Sequence, residues 1–190
     1  MKRVFLIRHG LPEFPGGQRQ CIGSTDIPLS AAGFAQAAEM ARALPPVTAV
    51  FSSPLARAAE TAQAIRADYT VLDGLRELDY GQWEGLTFPE IRLKYPELYA
   101  ARGNDLRLQP PGAESNEAGL FRFSAAMEEA ARRSPGDLAV VAHGGIIALF
   151  LESVTGRWYK PRCCEVIPLL WDQRGFFEQE ESSCGKCLRK

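Results

Sequence analysis

The sequence is short of histidine, of net positive charge and of long apolar stretches, and each shortage removes a class of function. Only His9 and His143 occur in 190 residues, too few for a histidine-rich metal site. The net charge is -1, with Arg and Lys scattered along the chain. General nucleic-acid and membrane-surface binders carry a basic excess, so neither kind of partner is expected. The longest uncharged, mostly apolar run, Leu138 to Leu151, falls short of the roughly 20 residues that cross a bilayer. Near the N-terminus only Val4 to Ile7 lie between Arg3 and Arg8, too few for the apolar core of a signal peptide. A cytoplasmic location is therefore expected. The five cysteines, Cys21, Cys163, Cys164, Cys184 and Cys187, are an odd number and read as reduced thiols.

What is present fits one globular unit. At roughly 150 residues per domain, the length predicts a single domain over residues 1–179 with a polar tail over 180–190. Apolar residues at 46% and charged residues at 24% are ordinary for such a chain and exclude a disordered or fibrous one. Lys2 to Ile7 reads as a buried strand that ends in Arg8-His9-Gly10, followed by a long loop to Leu29. Ser30 can cap a helix to about Leu44, with Phe34, Ala38 and Ala41 on one face. Val47 to Phe51 reads as a second strand, and Pro54 suits the first turn of the helix that follows, through about Arg66. Thr70 to Leu72 is a short third strand, 73–87 a polar loop, and 88–112 a cap of short helical pieces broken by Pro96, Pro110 and Pro111. Ser115 to Arg133 is amphipathic, with Leu120, Phe123, Met127, Ala130 and Ala131 on one side. Asp137 to Ala142 is a buried strand ending in His143-Gly144-Gly145, then an apolar helix to about Val154. Val166 to Trp171 and Phe176 to Gln179 could form a terminal hairpin.

Alternating strands and helices predict an α/β fold with a mostly parallel central sheet and helices on both faces. In such sheets ligands bind beyond the carboxyl ends of the strands. Both histidines fall at predicted strand ends, and Ser52-Ser53-Pro54 holds the equivalent place after the second strand. Arg57 lies on the first turn of a helix whose N-terminus faces the same crevice. A helix N-terminus and an arginine fork together suit an anion, most naturally a phosphate. His143-Gly144-Gly145 adds a second imidazole and free backbone amides at another helix start. Two carboxylates of the 73–87 loop, Glu77 and Glu84, are both candidates for acid–base work.

Four blocks carry a resemblance to a known family. They are Arg8-His9-Gly10, the run from Ser52 to Ala62, the run from Arg76 to Gly85, and His143-Gly144-Gly145. In this order and at these separations the chain resembles the histidine phosphatase superfamily, in its phosphoglycerate-mutase-like branch. The resemblance implies a three-layer α/β/α sandwich and a phosphomonoester hydrolase of the histidine acid phosphatase type, acting on a small phosphorylated metabolite. It implies His9 as nucleophile through a phosphohistidine, and Arg8, Arg57 and His143 around the transferred group. Glu77 becomes the general acid and base, leaving Glu84 structural, while Gly10 and Gly144 allow close backbone approach to substrate. No cofactor and no metal are implied.

Other phosphatase chemistries do not fit. A cysteine phosphatase needs Arg six residues after its Cys, and those positions hold Ile27, Leu169, Leu170 and Lys190. No D-x-D occurs, against an aspartyl-phosphate route. Mutases of the branch carry Arg-His-Tyr after the glutamate where this chain has Leu78-Asp79-Tyr80, so hydrolysis is favoured over mutase-type transfer. A non-catalytic, phospholigand-binding relative is the other alternative, against which the intact set of Arg8, His9, Arg57, Glu77 and His143 speaks. Pro15 to Gly17, Gly23 to Ser30 and Gly81 to Leu86 look most similar to alpha-ribazole phosphatases of cobalamin biosynthesis. Cys184-x-x-Cys187 with Cys163-Cys164 is only half a zinc motif and reads as an ordinary tail. The sequence leaves the oligomeric state open.

Overall fold

The computed structural model describes residues 1–105 and 107–178. The expected polar tail, with Cys184 and Cys187, lies outside the described residues. Among the described residues, six strands form one sheet: β1 (Lys2–Arg8), β2 (Ala49–Ser52), β3 (Thr70–Val71), β4 (Leu138–Ala142), β5 (Val166–Asp172) and β6 (Gly175–Glu178). Their order is β3-β2-β4-β1-β5-β6. The first four run parallel, and β5 closes antiparallel on β1, making the expected terminal hairpin with β6.

The layers follow from alternation along the central strands. Val4, Leu6, Leu138, Val140 and Ala142 turn to one face, where α5 (Asn116–Arg133) and α6 (Gly144–Thr155) supply Phe123, Met127, Ile146 and Ile147. Phe5, Ile7, Ala139 and Val141 turn to the other, against Met40 of α1 (Ala31–Ala43) and Ala58 and Ala62 of α2 (Ala56–Ile65). This period of two is what a strand buried on both faces requires. The sandwich is thus the expected α/β/α fold with a mostly parallel sheet. Between β3 and α5 come α3 (Phe88–Lys94) and α4 (Pro96–Asn104), each with a proline in its first turn.

Two local expectations change. Pro54 precedes α2 rather than entering it, because Leu55 is the N-cap and the helix begins at Ala56. On α1 the buried face is Gly33, Ala37 and Met40, and Phe34 remains 49% exposed. The reason is backbone proximity: a Cβ at Gly33 would lie 2.1 Å from the Leu11 carbonyl oxygen, and one at Gly10 would lie 2.7 Å from Gly33 O. The helix lies so close to the loop after β1 that only glycine fits, which rotates Phe34 outward. Gly33→Ala should therefore cost about 1–3 kcal/mol through overpacking, whereas Phe34→Ala should stay within about 0.5 kcal/mol. Urea melts of both variants measure the contrast, and a reversed order would mean that the aromatic face carries the helix.

Candidate active site

Parallel pairing brings three strand ends together. Arg8 lies opposite Ala142 across β1 and β4, and the His9 amide extends that ladder to Ala142 O at 3.0 Å. On the other side of β4, Ser52 lies opposite Val141, and the Ser53 amide donates to Val141 O at 3.0 Å. His9, Ser53 and His143 are each the first residue past a strand. The two imidazoles stand 5.1 Å apart between centroids, tilted by 56°.

Both rings are buried. His9 Nδ1 donates to its neighbour's carbonyl, Gly10 O, at 2.6 Å. A carbonyl oxygen can only accept, so the proton sits on Nδ1 and Nε2 keeps its lone pair. Burial, with the positive charge of Arg57 beside it, holds His9 well below the ordinary histidine value of 6.5. Burial and then Arg57 do the same to His143, whose Nε2 pairs with Ser53 Oγ at 2.7 Å.

Arg57, in the first turn of α2, is fully buried and donates to Thr25 O and Gly23 O, both at 2.8 Å. Those carbonyls belong to a loop that Glu84 holds. Its carboxylate accepts from the amides of Gly23 (3.1 Å), Ser24 (3.0 Å), Thr25 (3.1 Å) and Tyr80 (2.9 Å), and from the Thr25 hydroxyl. Arg8 donates to Pro161 O at 2.8 Å. Three buried polar atoms of this group lack a hydrogen-bond partner among the described residues: Arg8 Nε, Arg57 Nε and His143 Nδ1.

Glu77 reaches the same centre from the loop after β3. Oε1 accepts from the amides of Leu78 (3.0 Å) and Ile146 (2.7 Å), and Oε2 from Gly145 (2.8 Å). The amides at the start of α6, expected to be free, are thus taken by Glu77. A Cβ at Gly145 would lie 2.9 Å from Glu77 Oε1 and 2.3 Å from Tyr80 Oη, so the approach needs glycine. Arg122 fixes the segment from beneath, donating to Gly74 O, Arg76 O and Glu77 O at 2.8–2.9 Å while Glu114 grips it twice at 2.7 Å. Gly10, expected to face substrate, gives its amide to Thr61 Oγ1 at 3.0 Å. Gly144 brings the chain against Arg8.

A cleft of about 410 Å³ opens on this group. Arg8, His9 and Glu77 line it, whereas Arg57 and His143 stand fully buried behind them. Its outer walls hold Trp83, from the run Arg76 to Gly85, and residues that the sequence did not single out: Phe14, Arg19, Phe88, Arg102 and Lys160. These five share no motif. Phe88 and Arg102 belong to the 88–112 segment that was expected to cap the pocket. Glu84 is not in the lining. Among the described residues, no three His, Cys, Asp or Glu are grouped to hold a metal ion, and no helix is long and apolar enough to cross a membrane.

The neutral histidines make stability depend on pH in a definite sense. Both stay uncharged in the fold while the unfolded chain protonates them near 6.5. Unfolding then takes up protons below that value, so stability falls as the pH drops through it. The slope reaches about 1.4 kcal/mol per pH unit for each histidine. Urea melts between about pH 7.5 and 5.5 should show a shallower loss in His143→Gln than in the unsubstituted protein; equal slopes would mean that His143 titrates normally.

The geometry can be set beside known proteins. The family model of the histidine phosphatase superfamily (branch 1) matches residues 4–162. A bifunctional protein of Mycobacterium tuberculosis is 36% identical over 160 residues, covering 80% of this chain and 41% of that protein. A solved mycobacterial glucosyl-3-phosphoglycerate phosphatase, in complex with VO3, is 28% identical with a TM-score of 0.79, covering 90% of this chain and 93% of that one. The alpha-ribazole phosphatase from Shigella flexneri superposes with a TM-score of 0.78 over 93% of this chain and 94% of its own, but at 24% identity it shows the fold alone. The matched span contains Arg8, His9, Arg57, Glu77 and His143, and the chain belongs to the histidine phosphatase superfamily, branch 1.

Proposed function

We propose that the chain hydrolyses a small phosphomonoester through a phosphohistidine at His9. The observation that carries the reading is the state of His9: neutral, with its proton on Nδ1 and its Nε2 lone pair bare, on the wall of a cleft. An imidazole so prepared attacks phosphorus in line, forming the P–N bond as the P–O bond to the leaving group breaks. Arg8, Arg57 and His143 then stabilise the three equatorial oxygens as charge spreads over them. Glu77 gives its proton to the leaving oxygen. In the second step it takes a proton from water, whose oxygen displaces His9 and releases inorganic phosphate. Of its two oxygens, Oε2 carries one amide bond and Oε1 two, so Oε2 is the one with room for substrate.

The geometry supports hydrolysis over mutase-type transfer at a specific place. Where mutases carry Arg-His after the glutamate, Leu78 is buried in the core and Asp79 accepts from the Gly81 amide at 2.7 Å in a turn. Neither can hold a substrate in transit between two phosphoryl positions. Alpha-ribazole phosphate, suggested by the resemblance, offers a flat base that Phe14, Trp83 and Phe88 could flank. It offers nothing to the cations of the outer cleft, so it accounts for only part of the lining.

Rapid quench with labelled substrate should trap an acid-labile, base-stable phosphoenzyme that His9→Ala cannot form. Near-native turnover in His9→Ala would end the assignment. The acid is tested by leaving group. An alkyl oxygen leaves as a strong base and needs a proton in the transition state, while p-nitrophenolate needs little help. Glu77→Gln should lower kcat/KM for an alkyl phosphate by about 10²–10⁴-fold and for the aryl ester much less. The comparison between substrates matters because Gln also places an NH₂ against the α6 amides, a loss that both substrates share. A leaving-group-dependent loss in Glu84→Gln instead would transfer the role.

A further inference from the structure

Ser53 is fully buried one residue past β2 and stands behind the cleft wall rather than in it. Its backbone is fixed by β4, since the Ser53 amide donates to Val141 O at 3.0 Å. Among the described residues its hydroxyl meets two groups. The Leu55 amide donates to Ser53 Oγ at 3.3 Å, and His143 Nε2 lies 2.7 Å from the same oxygen. Either of those last two atoms can supply the proton between them, and the count of donors and acceptors decides which does.

A hydroxyl has one proton to give and two lone pairs to accept with. The Leu55 amide takes one lone pair. If the His143 proton sat on Nε2, that N–H would take the other. The Ser53 proton would then have no acceptor among the described residues, and His143 Nδ1 would be a bare lone pair, also without a partner. Two buried polar groups would go unsatisfied. If Ser53 donates to Nε2 instead, both of those atoms are satisfied and the Nδ1–H alone is left over. A buried group without a partner is costly, so the second arrangement is the lower in energy. The neighbours agree. Arg8 Nε and Arg57 Nε, the other buried atoms of this centre without a partner among the described residues, can only donate. Phosphoryl oxygens accept, and a ring that turned a lone pair towards them would repel them.

Resting on the phosphatase reading, we infer that Ser53 is a positioning residue: by donating to Nε2 it fixes His143 as the Nδ1–H tautomer, and through that proton His143 holds a phosphoryl oxygen. The two imidazoles then share a tautomer and use it in opposite ways. His9 spends its Nδ1–H on Gly10 O and keeps the Nε2 lone pair for phosphorus. His143 spends its Nε2 lone pair on Ser53 and keeps the Nδ1–H for oxygen. Because Leu55 is the N-cap of α2, whose first turn carries Arg57, one hydroxyl ties the orientation of His143 to the start of the arginine's helix.

NMR of the ring nitrogens reads the tautomer directly, because protonated and bare nitrogens resonate far apart. At about pH 8, above the ordinary histidine value of roughly 6.5, both rings of the chain should show the Nδ1–H pattern. His9→Gln removes one set of signals and leaves that of His143. This measurement needs no change at Ser53, so it decides the matter even where Ser53→Ala fails to fold. His143 found as Nε2–H overturns the inference. In Ser53→Ala, His143 should pass to Nε2–H, the form an unconstrained neutral imidazole favours. The variant's kcat/KM for p-nitrophenyl phosphate, scaled to its folded fraction, should fall by on the order of 10–100-fold, the worth of one hydrogen bond to a charged group. An unchanged tautomer in Ser53→Ala, or a changed tautomer with an unchanged rate, also overturns it. Turnover by the unsubstituted protein with His143 as Nε2–H removes the role of Ser53 alone. No turnover of either p-nitrophenyl phosphate or an alkyl phosphate by the unsubstituted protein removes the phosphatase reading and this role with it.

Discussion

The hydrogen bond from the His9 amide to Ala142 O, the last rung of the β1–β4 ladder, is the contact on which the site depends. It fixes where β1 stops relative to β4, and so places His9 beside His143. The register behind it is set by the core. A one-residue slip of β1 would exchange Val4 and Leu6 with Phe5 and Ile7 between two faces with different partners. The α5–α6 face receives Phe123, Met127 and Ile147, while the α1–α2 face receives Met40, Ala58 and Ala62, with partly buried Leu44, Ile65 and Tyr69 packed against them. Hydrophobic packing far from the cleft thus decides the separation of two imidazoles inside it.

Around that fixed pair, two carboxylates from one loop have been given different environments. Glu84 accepts five hydrogen bonds and is absent from the cleft wall; its effect passes through the 23–25 loop to Arg57. Glu77 accepts three, all from backbone, and faces the cleft. The start of α6, where helix amides commonly hold a ligand anion, is occupied by the protein's own carboxylate. On the proposed reading the helix positions the acid–base group, and the arginines are left to meet the phosphoryl oxygens.

How much of this was legible in the sequence depended on whether a residue sat at a strand end. Arg8, His9, Ser53 and His143 could be placed because apolar runs announce buried strands, and the residue after such a run must emerge at the carboxyl edge. Arg57 followed from its distance to Pro54, even though the helix begins two residues later than the proline suggested. The choice between Glu77 and Glu84 was open from residue type alone, since both lie in one loop, and hydrogen-bond geometry separates them. The face of α1 was misjudged because apolar periodicity cannot register a backbone that approaches within contact of Gly33. Arg19, Arg102 and Lys160 left no signal, because a loop, a short helix and the segment after α6 bring them together only in the fold.

The way the arginines are held completes the physical picture. Elsewhere in the molecule Arg3, Arg66, Arg122 and Arg174 meet carboxylates. Arg8 and Arg57 are held by carbonyl oxygens instead, at Pro161, Thr25 and Gly23. A carbonyl fixes the direction of a guanidinium and leaves its charge intact, whereas a carboxylate would fix the direction and cancel the charge. Buried charge kept in this state is costly, and so are the Nε atoms of both arginines and Nδ1 of His143, which have no partner among the described residues. Burial first, and then the positive charge of Arg57 and Arg8 beside it, keeps His9 neutral. In the proposed reaction this arrangement serves both halves at once: it leaves His9 a free lone pair, and it sets a positive field against the charge that the attack develops.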